Sequence, residues 1–233
     1  SRSSVDVERT RWMRDDPRPE FEGVPRDVGF AAGAARKADG NDLYWRIAQY
    51  LVPNHALTPN AFPGENIHGQ TWVPITDEQA WVFCYSWNPD RPITDEERLQ
   101  FRAGRSVHAA VDERWVPIRN RDNDYLIDRD DQKRRAFTGI QGVSEQVAMI
   151  QDSQGLVAKR SREHLGPTDR AIIEFRTLIL RAARDLRAGT EPAAARNAAG
   201  YRVRGGSIVA DRNLSFADTM TKRFDDPLGR VGR

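Results

Sequence analysis

The side chains able to do chemistry are few, and their spacing limits what they can do. The densest group is GVSEQVAMIQDSQG, residues 142–155, where Glu145, Asp152 and the amides Gln146, Gln151 and Gln154 stand among apolar residues. On a helix such a run offers either a metal donor or a polar face. The four histidines, His55, His68, His108 and His164, include no two at the three-to-five-residue spacing of local metal ligands, so no site is expected from them by sequence proximity. Each alone reads as a surface or satisfied histidine, with His164 near a helix C-terminus where it favours the dipole. No G-x-x-x-x-G-K-[ST], G-x-G-x-x-G or G-x-S-x-G pattern occurs, so neither a phosphate-cradling loop nor a nucleophile elbow is indicated. The single cysteine, Cys84, lies in the apolar run AWVFCYSW and reads as a buried free thiol in a reducing cytoplasm.

These residues need elements to position them. VGFAAGAARK and LYWRIAQYLV, either side of the turn signal ADGND, read as paired strands, and Pro53 ends the second. IHGQTWVPI, the turn TDEQ and AWVFCYSWN make the clearest hairpin. ITDEERLQF opens a short helix with the capping pattern Thr94 to Glu97. Residues 111–140 are charged and aperiodic, and DYLID and AFTGI mark them as a packed loop. Two helices follow: 144–163, and a second from an N-cap at Thr168 to about Ala188, with Gly189 as its stop. The second carries Ile172, Phe175, Ile179, Ala182, Ala183 and Leu186 as one apolar face. A helical turn, a Gly-Gly break and one strand close the pattern, an α+β order with an antiparallel meander.

Composition excludes several classes. Of 233 residues, 39% are hydrophobic and 30% charged, and no apolar run approaches the ~20 residues of a membrane span. Thirty-six Lys and Arg against 34 Asp and Glu, interspersed, leave no basic stripe for nucleic acid. The tail TKRFDDPLGRVGR is locally basic and reads as solvated. The opening SRSSVDVERTRW has neither Met nor an apolar signal core and reads as a cut edge. Residues 1–23 are expected to be an irregular segment after a short helix, 24–188 a partial catalytic domain, and 189–233 an extension.

Three segments together, TWVPITDEQAWVFCYSWNPDRPIT, RDNDYLIDRDDQKRRAFTGIQGVSEQ and IQDSQGLVAKRSREHLGPTDRAIIEFRTLILRAARDL, resemble the C-terminal part of Rieske-type non-haem iron ring-hydroxylating oxygenases of the phthalate 4,5-dioxygenase-like group. The resemblance runs from about Val24 to Leu186. It implies a helix-grip (START/Bet v1-like) fold, an antiparallel sheet curled around a C-terminal helix, enclosing an apolar pocket. It implies the terminal oxygenase component of a system that hydroxylates or O-demethylates an aromatic compound, aromatic acids included, with O2. Its partners are then an N-terminal Rieske portion with a [2Fe–2S] cluster, a reductase, and other subunits in a trimer. The mononuclear Fe(II) of that family is held by two histidines and a carboxylate. The cluster ligands and the histidine pair have no counterpart in this sequence. Without them this chain alone is expected to be inactive.

The same resemblance puts Val147 at the position of the family's carboxylate ligand. Asp152 is an alternative donor, but five residues on it lies about 140° around a regular helix, and Glu145 also points elsewhere. Otherwise Asp152 is a solvated or hydrogen-bonded helix carboxylate. Arg36 and Arg46 fall where relatives acting on aromatic acids carry arginines, whose guanidinium suits a carboxylate; ordinary strand arginines are the other reading. Phe30, Trp45, Trp72 and Phe83 suit either a pocket lining or the core.

Overall fold

The computed structural model describes residues 4–59 and 61–224. The basic tail from Asp225 onward lies outside them. In chain order the elements are α1 (Ser4–Asp15), β1 (Glu20–Arg26), β2 (Gly29–Lys37), β3 (Asp42–Leu51), β4 (His55–Leu57), β5 (Ile67–Pro74), β6 (Ala80–Trp87), α2 (Asp95–Arg102), α3 (Arg129–Arg134), α4 (Val143–Ser153), α5 (Arg170–Arg187), β7 (Gly206–Asp211) and α6 (Phe216–Phe224), with short 3-10 turns between. The fold class is α+β with antiparallel strand pairing. Two compact units divide it, one formed by residues 1–67 and 164–233, the other by 68–163.

In the first unit β3 is the centre. One edge pairs with β2 in the register Gly29↔Leu51 to Lys37↔Leu43, and β2 pairs in turn with β1. The other edge is shared: β7 takes Asp42 to Ile47, and β4 takes Gln49 to Leu51. Both partners fit because the chain entering β7 is Gly205–Gly206. A Cβ on Gly205 would come within 2.5 Å of the Thr58 carbonyl oxygen, and one on Gly206 within 2.6 Å of that of Ala61.

Strand alternation then sorts the side chains. Ala31, Ala35, Trp45, Ile47 and Ile208 form one face, closed by Phe216, Met220 and Phe224 of α6. Trp45 stacks on Phe216 at 4.9 Å between ring centroids. Trp45 is therefore a core residue. On the opposite face Tyr44, fully buried, meets Trp12 of α1 at 5.1 Å and Phe62 at 5.8 Å, and Tyr50 meets Phe175 of α5 edge-on at 4.0 Å.

β1 was not anticipated, because Pro25 and alternating charges in EFEGVPR weaken its strand signal. It pairs only with β2 in this unit, an edge role that tolerates proline. α5 stops at Gly189 as expected, but its cap is not Thr168; a 3-10 turn, Pro167–Asp169, precedes it, and Asp169 Oδ2 accepts from the Gly166 amide at 2.9 Å. Of its apolar stripe Phe175, Ile179 and Ala182 are half-buried, while Ile172, Ala183 and Leu186 are exposed.

The second unit holds the hairpin β5–β6, turned at Thr76, whose Oγ1 accepts from the Glu78 and Gln79 amides. Thr94 caps α2 reciprocally: the Glu97 amide donates to Thr94 Oγ1, and the Thr94 amide donates to Glu97 Oε2. The charged stretch 111–140 is packed, as expected, through buried Tyr125 and Ile140, although Phe137 is 95% exposed. The helix expected over 144–163 ends at Ser153, because the chain turns at Gly155 with φ +96, a conformation only glycine enters cheaply. His164 consequently lies outside any helix.

Two measurements check this packing. Trp45→Ala, which empties a site beneath α6, should cost about 3–5 kcal/mol in urea unfolding. Burial pushes the Tyr50 phenol up to about 12. Folded chain thus keeps that proton where unfolded chain loses it near the ordinary value of about 10. Stability present below that pH should fall as pH rises toward 12, and Tyr50→Phe should make the fall shallower.

Candidate functional site

The residues of α4 are brought together differently from any metal site. Val147 is 44% exposed. Asp152 accepts the Tyr125 hydroxyl on Oδ2 at 2.7 Å, and its Oδ1 is 3.6 Å from Arg121 Nη2. That hydrogen bond raises the Tyr125 phenol above its ordinary value, with burial adding to it. Glu145 is buried and bound to Arg119, whose Nε donates to Glu145 Oε2 at 2.9 Å. The same guanidinium donates from Nη1 to the carbonyls of Tyr125 at 3.0 Å and Leu126 at 2.7 Å. Those carbonyls belong to a left-handed turn, with φ of 48, 56 and 47 at Asp124, Tyr125 and Leu126. Left-handed backbone costs roughly 1–2 kcal/mol per non-glycine residue, so such a turn persists only where contacts enforce it.

This arrangement does not fit the iron that the resemblance implies. Position 147 supplies no donor, Glu145 is spent on Arg119, and Asp152 serves Tyr125 and Arg121. Among the described residues no three of His, Cys, Asp and Glu gather as a metal cluster. Asp152 is a hydrogen-bonded helix carboxylate, engaged by Tyr125.

The two arginines are better placed. Arg46 stands opposite Ala34 and Arg36 opposite Tyr44 in the β2–β3 register, so both lie on the sheet face of Tyr44. On that face the Phe30↔Tyr50 pair comes first, then Ala32↔Ala48, then the arginines. Arg36 Nε donates to the Asp16 carbonyl at 3.1 Å, and Arg46 Nη1 lies 3.7 Å from the Met13 sulfur. Arg46 is held below its ordinary pKa chiefly by burial, with Arg36 and Arg9 adding repulsion. Arg9 is paired with Glu65 at 3.4 Å, so Arg36 and Arg46 are the cations of this face that an anion could meet.

Trp72 and Phe83 belong to the other unit. Gly69 faces Tyr85, where an added Cβ would meet the ring at 2.4 Å, and His68 faces Ser86. By alternation Trp72 joins the His68 face and Phe83, 55% exposed, the Tyr85 face. One pocket wall takes at most one of them.

Sequence spacing missed a third grouping. His68 Nδ1 lies 2.7 Å from Ser86 Oγ, and His108 Nε2 lies 2.8 Å from the same oxygen. Phe101 stacks on the His108 ring at 4.6 Å and meets His68 edge-on at 6.0 Å. Burial pushes His68 down to about 4, helped by His108 and opposed by Glu97, and also lowers His108. Cys84, half-buried as a free thiol, is raised by burial.

Comparison with known proteins agrees with the resemblance. Residues 3–205 match the family described as LigXa C-terminal domain like, and the chain belongs to that family. It is 30% identical over 221 residues to the 3-chlorobenzoate-3,4-dioxygenase oxygenase subunit of Comamonas testosteroni, covering 89% of this chain and 51% of that protein. It is 31% identical over 222 residues to the phthalate 4,5-dioxygenase oxygenase subunit of Pseudomonas putida, covering 92% and 47%. The chain spans about half the length of these relatives.

Arg119→Met should destabilise the chain by about 3 kcal/mol in urea unfolding, because it strands the buried Glu145 and frees the left-handed turn. Asp152→Asn, which keeps an acceptor for Tyr125, should change stability by less than about 1 kcal/mol.

Proposed function

We propose that this chain is the C-terminal part of the terminal oxygenase component of a Rieske-type system acting on an aromatic acid with O2. The observation that carries the reading is the graded face of β2 and β3: an aromatic pair, a stretch of alanines, then Arg36 and Arg46. In this reading the half-buried Ala32, Ala34 and Ala48 leave room for an aromatic ring, and the guanidinium pair receives its carboxylate. Both named relatives act on substrates of this chemical kind, 3-chlorobenzoate and phthalate. In such a system an N-terminal Rieske portion or another subunit would hold the [2Fe–2S] cluster that, with a reductase, would supply electrons for O2, in a trimeric assembly in the cytoplasm. Among the described residues no helix is long and apolar enough to cross a membrane. In this chain Arg36 and Arg46 bind and orient the acid, and the alanine stretch sets the depth at which its ring rests. The residues of α4 give no step through iron. The extension 189–233 works with the catalytic domain rather than apart from it, since it contributes β7 and α6.

A second reading is favoured by Val147: a non-catalytic subunit of the same fold that binds an aromatic acid or supports an oligomer. Phthalate binding by calorimetry tests the shared part of both. Arg46→Met should weaken it about 10–100-fold, as expected for a lost charge-assisted contact of about 1.5–3 kcal/mol; unchanged affinity overturns the assignment. Iron separates the two readings. With an upstream half that supplies a histidine pair, Val147→Asp should raise bound iron toward one per chain if the scaffold is an oxygenase's. Equally low iron in both forms favours the binding subunit.

A further inference from the structure

His68, Ser86 and His108, all in the second unit, converge on one hydroxyl oxygen. His68 and Ser86 are neighbours on one face of the β5–β6 hairpin. His108 arrives on the loop that follows α2, and that loop is fixed in place: the Gln70 side chain donates from Nε2 to the Val107 carbonyl at 3.1 Å, and Val107 is buried. The His108 amide also donates to the Arg105 carbonyl at 3.2 Å. Phe101 of α2 covers both rings. Two imidazole nitrogens from different elements are therefore aimed at one point by packing that leaves the rings little freedom.

A serine hydroxyl has one proton, so it donates to one of these nitrogens and accepts an N–H from the other. The hydroxyl is the weaker partner for such a pair. Rotation about its χ1 withdraws it, and each ring nitrogen then needs to approach by less than about 1 Å to reach the 2.0–2.1 Å of a Zn–N bond. All three residues are half-buried rather than sealed, so a cation has access and water can complete its coordination.

We propose that His68 and His108 form a binding site for a borderline divalent transition cation of the zinc class, with Ser86 as the gating third ligand. Imidazole pairs suit Zn2+, Ni2+ and Cu2+ over the hard cations. On binding, each ring keeps one proton on its outer nitrogen, and the Ser86 hydroxyl either turns away or coordinates as a neutral donor. The site uses no donor of α4, although its loop touches that helix through the Ala110 amide, which donates to Glu145 Oε1 at 3.4 Å, and metal binding clamps the loop of His108 to the hairpin.

The test uses the full 233-residue chain, stripped with a chelator and titrated with Zn2+ against a chromophoric competitor. One saturable equivalent is expected, weakened at least about tenfold by His68→Gln and by His108→Gln. His55→Gln, His164→Gln and Cys84→Ser should leave it unchanged. X-ray absorption of the zinc-loaded parent chain should show two imidazoles in the metal shell, a readout that survives if a histidine variant folds poorly. Absence of saturable binding, affinity indifferent to both histidine changes, or a shell dominated by thiolate or carboxylate overturns the proposal.

Discussion

A buried strand must have every backbone donor and acceptor paired, and β3 meets that demand in a way that organises the whole first unit. Its residues are buried on both sides, with Trp45, Ile47 and Gln49 on one face and Tyr44 on the other, so water satisfies little of its backbone. β2 occupies one edge. The other is divided between β4, which follows directly in sequence, and β7, which returns from far along the chain through Gly205–Gly206. Once β7 is seated, α6 is carried onto the face of Trp45, and the core closes. The opposite face is left to α1 and α5, and there the two arginines stand.

The second unit has a smaller buried core and relies more on polar fixation. Arg119 joins a buried carboxylate, two carbonyls of a left-handed turn and, through that turn, the Tyr125 hydroxyl that reaches Asp152. Helix α4 is held in place by this network. Both carboxylates of α4 are engaged by it, and Val147 between them is exposed. Placing a donor at 147 would not by itself disturb Glu145 or Asp152, since neither contact involves that position.

Much of the local structure was legible along the chain. The β2–β3 pair and the hairpin β5–β6 were readable because alternation and turn residues are encoded within a few positions of one another. The same holds for the Thr94 cap and the end of α5 at Gly189. The misses have equally local causes: Pro25 masked β1, and the apolar periodicity of GVSEQVAMIQDSQGLVAK hid the break at Gly155. At the site, the unsuitability of position 147 was evident from a side chain that has no donor atom.

The sequence by itself determined the element types, the family, and the absence of a carboxylate at Val147, because these depend on residue identity and near-neighbour pattern. Only the tertiary structure decided that Trp45 is core while Arg36 and Arg46 share the other face, since that depends on which side of β3 α6 comes to cover. It also decided that Asp152 is engaged by Tyr125, and that His68 and His108 meet across Ser86. Those pairings join residues 27 and 40 positions apart in the chain. The physical reason is that linear spacing carries the pitch of a helix or strand, whereas contacts between distant segments follow from which edges and faces remain unsatisfied once each element has formed.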